Sequence, residues 1–310
     1  MTGLLSCQNL CHNDYLRHES QWIVIPMAYF NNFEWKKSDP MLEKIRETVQ
    51  FLRDRGFGEP EVAILLGTGL GNFAGVVNII AEAGYETIPH FVTSTVDQTK
   101  GRLIYGSVAG RKVLVMQGRF HYYEGYDMQQ ITFPIRVMKG MGVRMLLLSN
   151  IAGAMNTTLK KGILMLIEDH VNLLPENPLR GPNIEELGPR FPDMSRPYDP
   201  KLNKLLILAA EKEGVVLRKG VYVAVQGPNL ETRAEYRFFR QAGGDAVGMS
   251  TVPEVIVAKH MSLPCAAISI LTDECDPDHL VPADIPEIFE IAAKAEKEVI
   301  KIWMRFLTDL

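Results

Sequence analysis

Two hydrophobic rhythms alternate along most of this chain. Short apolar runs rich in β-branched residues predict strands at Val62–Leu66, Leu103–Val108, Val113–Gln117, Met145–Asn150, Ile163–Glu168, Val221–Gln226, Ala246–Gly248 and Ala266–Thr272. Between them, apolar residues recurring every three or four positions predict helices over Met128–Met141, Pro200–Glu213, Glu231–Gln241, Pro253–Met261 and Pro286–Leu307. An earlier amphipathic helix begins at Met41, with Leu42, Ile45, Val49 and Leu52 on one stripe and Ser38 or Asp39 able to cap it. Such alternation predicts an α/β fold: a single domain with a largely buried, mixed β-sheet surrounded by helices. The domain is expected over residues 41–310. Residues 1–40 lack either rhythm apart from an apolar patch at Trp22–Phe30, and read as a loosely ordered N-terminal extension.

Composition narrows the partners. A net charge of −4 with 23% charged residues gives no basic footprint for nucleic acid. No apolar run reaches the ~18 residues of a membrane span, so no membrane partner is expected. The cysteines, Cys7, Cys11, Cys265 and Cys275, are too scattered for a disulfide framework, which favours a reducing compartment and a cytoplasmic protein. Cys7 and Cys11 lack a second Cys/His pair, so no zinc site is expected.

The chemistry is expected at strand ends, where α/β sheets bind small ligands. Arg119-Phe-His-Tyr-Tyr-Glu-Gly125 leaves the Val113–Gln117 strand and gathers a guanidinium, an imidazole, two phenols and a carboxylate in seven residues. That is an anion-binding combination, and a solvated surface turn is the plainer alternative. Gly67-Thr-Gly-Leu-Gly71 offers backbone N–H groups and the Thr68 hydroxyl to an anion, or is a tight turn. Its spacing is neither that of a Walker loop nor that of G-x-G-x-x-G. Asn150 ends a third strand, as a ligand contact or as a helix cap or turn. Glu231 stands at the start of a predicted helix, where the dipole stabilises a carboxylate with or without a ligand. Met249 can pack under a flat ring and Ser250 can reach an anion, although Ser250 or Thr251 could instead cap the next helix. The acidic run Leu271-Thr-Asp-Glu-Cys-Asp-Pro-Asp278 lacks EF-hand spacing, so no metal is assigned to it. Together these residues suit an oxyanion and a polar heterocycle.

The ordered set of motifs resembles the trimeric purine nucleoside phosphorylases. It comprises Gly67–Gly71, Ser94-Thr-Val96, Gln117–Gly125, Asn150-Ile-Ala-Gly153, Asn177–Asn183, Gly227-Pro-Asn-Leu-Glu231 and Gly248-Met-Ser-Thr-Val-Pro-Glu-Val-Ile256. The resemblance implies a partly barrel-like twisted sheet, a homotrimer, and phosphorolysis of β-purine nucleosides, inosine and guanosine first, to free base and α-ribose 1-phosphate. Inorganic phosphate is then a co-substrate, and neither an organic cofactor nor a metal is required. Position by position, it implies phosphate contacts from Thr68, Arg119, His121, the backbone N–H of Ile151, and Ser250. Tyr123 and Met249 would meet the ribose, Glu231 and Asp273 the purine, and His121, Glu231 and Asp273 would carry the catalytic roles.

Three departures from that pattern bear on specificity. Thr99 and Ile285 stand where the family has histidines, and Asp273 stands where it usually has Asn. An ionised Asp only accepts hydrogen bonds, whereas Asn also donates. Asp273 and Ile285 lean toward the related methylthioadenosine phosphorylases; Glu231 and Gly248-Met-Ser250 lean back. A non-catalytic nucleoside-binding protein on the same fold is a third reading, opposed by the joint presence of Arg119, His121 and Ser250.

Overall fold

Asp39 starts the first described helix, α1 (Pro40–Asp54), by accepting a 2.8 Å hydrogen bond from the Met41 N–H. Leu42, Ile45, Thr48 and Leu52 form its buried stripe. Thr48 takes a place the pattern gave to Val49, because its hydroxyl donates to the Lys44 and Pro89 carbonyls and so enters the core satisfied. The computed structural model describes residues 39–67, 69–95 and 101–310. The extension expected over residues 1–40 lies almost wholly outside the described residues, as do Thr68 and Thr99.

Among the described residues nine strands form the sheet: β1 (Val62–Leu65), β2 (Asn78–Gly84), β3 (Arg102–Val108), β4 (Arg111–Gln117), β5 (Met145–Ala154), β6 (Leu164–Asn172), β7 (Leu217–Ala224), β8 (Ala246–Gly248) and β9 (Cys265–Glu274). Their order is β2-β3-β4-β1-β5-β8-β7-β6-β9, and β9 pairs back onto β5. The sheet is therefore an open wing, β2 to β5, joined through β5 to a closed ring of β5, β8, β7, β6 and β9. Closure makes the partly barrel-like sheet, and leaves no free edge in the ring. The pairing is mixed: β1 is parallel to β4 and β5, and β5 to β9, whereas β8 runs antiparallel to β5.

The helices are α2 (Met128–Gly140), α3 (Pro200–Lys212), α4 (Arg233–Gln241), α5 (Val252–His260) and α6 (Ile285–Asp309). One core cluster joins the sheet to α3 and α6 through Ile64, Leu147, Leu166, Ile268, Leu206 and Phe306. In the same cluster Trp303 meets Phe73 edge-on, with centroids 5.4 Å apart. Among the described residues no helix is long and apolar enough to cross a membrane.

The sequence pattern misses β2 altogether. It is an edge strand paired only with β3, and it leaves Ile79 and Ile80 exposed, so it carries no in–out alternation to read. β5 runs four residues past the predicted end at Asn150, because its polar and small residues form the shared wall between wing and ring.

Candidate active site

Since β1, β4 and β5 are parallel, their C-terminal ends open on one side of the sheet. The segment leaving β4 turns inward there, and Arg119 is only 1% exposed, which excludes the solvated surface turn. Its guanidinium donates from Nη2 to the Ser149 carbonyl at 2.6 Å and from Nη1 to the Thr251 hydroxyl at 3.0 Å. Glu254 Oε1, also buried, lies 3.6 Å from Nη1, and Arg119 Nε has no hydrogen-bond partner among the described residues.

Register explains how Thr251 reaches this point. β8 returns antiparallel along β5 with Val247 opposite Gly153, and continuing that register sets residues 250 and 251 against 150 and 149. Asn150 Nδ2 then donates to Thr251 Oγ at 2.8 Å. With Arg119 and Asn150 both donating, the two lone pairs of that oxygen are used. Its own proton is thereby directed to Ser250 Oγ, 3.2 Å away, and the Ser250 hydroxyl in turn hydrogen-bonds the buried Tyr222 hydroxyl. Thr251 holds this place at φ 72°, a region costly for a side chain with a branched Cβ.

The glycine loop after β1 closes on the same strand end. A Cβ at residue 67 would sit 2.9 Å from both Asn150 Cα and the Ser149 carbonyl oxygen, so only glycine permits this approach. Gly67 N–H donates to Ser149 Oγ at 3.3 Å. The far end of the loop is tied to α6, where buried Glu296 accepts from Asn72 N, Asn72 Nδ2 and Phe73 N.

His121 is held from both sides. Glu124 Oε1 accepts from its backbone N–H at 2.8 Å and meets its Nδ1 at 3.1 Å, while the Tyr123 ring stacks on the imidazole at 4.8 Å. Burial alone would raise the Glu124 carboxyl, but hydrogen bonds from His121 and Thr95 outweigh it and hold the group below its usual range. An ionised Glu124 accepts from Nδ1–H and so fixes the imidazole tautomer.

The other end of the site is acidic. Glu231 follows β7, and Asp273 lies near the end of β9 opposite Gly153. Asp273 Oδ1 accepts from the Thr272 hydroxyl at 2.9 Å and Oδ2 from the Cys275 thiol at 3.1 Å. Tyr236, on α4, hydrogen-bonds both Glu231 and Cys275, so a phenol and a thiol bridge the two carboxylates. The Glu231 carboxyl is raised above its usual range by burial, against the Tyr236 hydrogen bond, with a further push from the charge of Asp273. Met249 packs where a Cβ on Gly227 would stand, 2.2 Å from its sulfur, beside the turn that carries Glu231.

Arg119 and Thr251 thus sit against Ser149 and Asn150, and Asp273 against Gly153, along one strand, β5. A family model for the phosphorylase superfamily matches residues 61–308. Purine nucleoside phosphorylase 1 of Bacillus subtilis (strain 168) is 43% identical over 262 residues, covering 84% of this chain and 97% of that one. The Mus musculus purine nucleoside phosphorylase is 40% identical over 274 residues, covering 86% and 94%. The chain belongs to the phosphorylase superfamily, among its purine nucleoside phosphorylases. Solved purine nucleoside phosphorylases share the fold as well. The Schistosoma mansoni structure in complex with adenosine superposes with a TM-score of 0.82 at 37% identity, covering 87% of this chain and 98% of that one. A schistosoma structure in complex with hypoxanthine gives 0.83 at 36% identity, covering 88% and 99%.

Of the site residues expected for a purine nucleoside phosphorylase, the fold gathers Arg119 and Ser250 around Thr251, with Ile151 next to Asn150 on β5. It pairs His121 with Tyr123 and draws Glu231 and Asp273 within electrostatic reach of each other. Thr68 lies outside the described residues. Two expectations are corrected. Asn150 is not a helix cap but an interior residue of β5, and Glu231 precedes the helix it was placed on, since Thr232 caps α4 in a capping box with Glu235. The acidic run does not act as a unit: Glu274 pairs with Lys160, Asp276 with His279 and Arg240, Asp278 with Arg237, and only Asp273 turns to Glu231. Sequence reasoning missed Ser149, Glu254, Tyr236 and Cys275, and gave Thr251 no role beyond a cap. Adjacency to an assigned residue was the one signal available for Ser149 and Thr251.

Proposed function

We propose that this purine nucleoside phosphorylase cleaves inosine and guanosine in preference to adenosine, and works as a cytoplasmic homotrimer without a cofactor. The chemistry follows from where the charges sit. A phosphate oxygen attacks C1′ of the β-nucleoside as the C1′–N9 bond breaks, giving α-ribose 1-phosphate and a purine that takes up a proton. Positive charge develops on the ribosyl group and negative charge on the departing base. Arg119, His121, Ser250, Thr68 and the Ile151 N–H would hold the phosphate in line, which supplies positioning and preorganised electrostatics. Tyr123 and Met249 would bound the ribose. Glu231 would accept from purine N1–H, and Asp273 would stand at the N7 and C6 edge of the base, where a shared proton offsets leaving-group charge.

The observation that carries the reading is Arg119: fully buried, held by a carbonyl and a hydroxyl, and sharing that hydroxyl with Ser250. Beside Glu254, 3.6 Å from Nη1, the guanidinium still keeps Nε–H without a partner among the described residues, and a buried donor of that kind is costly unless it meets a further acceptor such as an anion. A second reading, acceptance of 6-aminopurines, rests on Asp273. Thr272 and Cys275 both donate to its carboxylate oxygens, and a carboxylate, which only accepts, suits a 6-amino group. The working domain would span residues 41–310, with 1–40 an extension dispensable for catalysis.

Purine release from inosine, guanosine, adenosine and methylthioadenosine, each with and without phosphate, separates these readings. Phosphate-dependent cleavage led by inosine or guanosine is the expected result. A lead for adenosine or methylthioadenosine would overturn the stated preference and make Asp273 the residue that redefined the pocket.

A further inference from the structure

Tyr222, in the interior of β7, is wholly buried. β7 runs parallel to β8 with Tyr222 opposite Ala246 and Ala224 opposite Gly248. The phenol ring leans along β8 and crosses Gly248, where a Cβ would fall 2.3 Å from its oxygen and 3.0 Å from Cζ. Glycine at 248 therefore leaves the ring its path. Beyond it the phenol oxygen accepts a 3.3 Å hydrogen bond from the Ser250 N–H, and the Ser250 hydroxyl is its second partner. A buried tyrosine needs a partner for its hydroxyl, and among the described residues both hydrogen bonds of this one run to Ser250.

Counting protons gives that contact a direction. Thr251 Oγ has both lone pairs taken by Arg119 and Asn150, so its proton goes to Ser250 Oγ. Ser250 Oγ is left with one lone pair and one proton. Burial pushes the Tyr222 phenol up to about 12, against its hydrogen bonds from Ser250 and the charge of Arg119, so it keeps its proton at neutral pH. If Ser250 donated to the phenol, the phenol proton would be stranded in a dry interior, which is costly. If the phenol donates to Ser250 Oγ, both lone pairs of Ser250 are filled and its proton is free to point outward.

We propose that Tyr222 is a positioning residue for phosphate: its phenol donates to Ser250 Oγ, fills the lone pair that Thr251 leaves open, and so commits the Ser250 proton to a phosphate oxygen. The inference rests on the reading of Ser250 as a phosphate contact. Tyr222 touches no ligand itself. It acts through Ser250 from β7, as Asn150 acts through Thr251 from β5. The two converge on one hydroxyl whose donor direction is set before phosphate arrives.

Steady-state kinetics of the full chain with inosine and phosphate test this through a double-mutant cycle of Tyr222→Phe and Ser250→Ala. Tyr222→Phe keeps the ring over Gly248 and removes only its oxygen. Phosphate KM should rise about fivefold in that variant, the scale of one neutral hydrogen bond, while inosine KM stays within about twofold. Ser250→Ala should raise phosphate KM about tenfold, as loss of a hydrogen bond to a charged group predicts. Adding Tyr222→Phe to Ser250→Ala should then change it by less than about twofold, because Tyr222 reaches phosphate only through Ser250. Multiplied effects in the double variant, or equal rises in both KM values in Tyr222→Phe, would mark a structural role and overturn the proposal. A normal phosphate KM in Tyr222→Phe beside a raised one in Ser250→Ala overturns this inference alone. A normal one in Ser250→Ala removes Ser250 from the phosphate and this inference with it. Should Tyr222→Phe fail to fold, carbon NMR of chains labelled at tyrosine Cζ carries the test. Phosphate should shift a tyrosine resonance in the wild type that stays fixed in Ser250→Ala at saturating phosphate, and the absence of such a resonance overturns the proposal.

Discussion

The two ends of the active site solve opposite electrostatic problems. At the proposed phosphate end one cation, Arg119, is buried among the Ser149 carbonyl, the Thr251 hydroxyl with its Asn150 amide donor, and the Glu254 carboxylate. At the proposed purine end two carboxylates, Glu231 and Asp273, are drawn together and bridged by the weak acids Tyr236 and Cys275. The first arrangement is rigid and sign-matched to its ligand before the ligand arrives. The second holds like charges close, so its proton inventory can change with the base that enters. Phosphate recognition should therefore break by loss of geometry, and base recognition should shift by loss or gain of a proton or donor.

The largest effect is expected at Arg119. Arg119→Met should lower kcat/KM for phosphate by about 10²–10³-fold, the scale of losing a preorganised charge donor. It also strands buried Glu254, so urea unfolding should show a loss of about 3–5 kcal/mol. Activity within tenfold of wild type would show that Arg119 supports the fold and not the anion.

Thr251→Val should come next. It removes the oxygen shared by Arg119 and Asn150 while keeping the shape, leaving two buried donors unsatisfied at roughly 1–3 kcal/mol each. Phosphate KM should rise about tenfold, as one misplaced charged contact predicts, while nucleoside KM stays near wild type. Equal changes in both would erase the distinction between the two ends.

Asp273→Asn acts on the purine end. It restores a donor, and the inosine-to-adenosine ratio of kcat/KM should rise about tenfold, the worth of one good polar contact. The pH profile sharpens this test. Because Asp273 contributes to the raised Glu231 carboxyl, Glu231 loses its acceptor form at a higher pH than an ordinary glutamate as acidity increases. Removing the Asp273 charge lowers that value, so the acid limb for inosine should move to lower pH in Asp273→Asn. An unmoved limb would mean that the Asp273 charge does not reach the Glu231 carboxyl.

The smallest effect belongs to Cys275→Ala. Loss of the thiol donor frees one Asp273 oxygen and should change base preference by a few-fold only, the scale of a weak hydrogen bond. Phosphate KM should not move.

Much of this was legible in the chain, and unevenly so. The eight predicted strands and six predicted helices stand near their expected bounds, because a strand buried on both faces and a helix with one apolar stripe announce themselves locally. Arg119, His121, Ser250, Glu231 and Asp273 could be picked out because polar groups cluster where apolar runs stop. Edge strand β2 could not, since its apolar residues face outward.

What the sequence determined by itself is the inventory: the alternating elements, and the charged and hydroxylic residues that close each strand. Those are set by local periodicity and composition, which a linear pattern records. What only the tertiary structure decided is which of them meet. Thr251 reaches Arg119 because β8 returns antiparallel along β5, and Asp273 reaches Glu231 because β9 closes the ring onto that same strand. Register and closure depend on contacts between residues distant in the chain, and no local pattern encodes them.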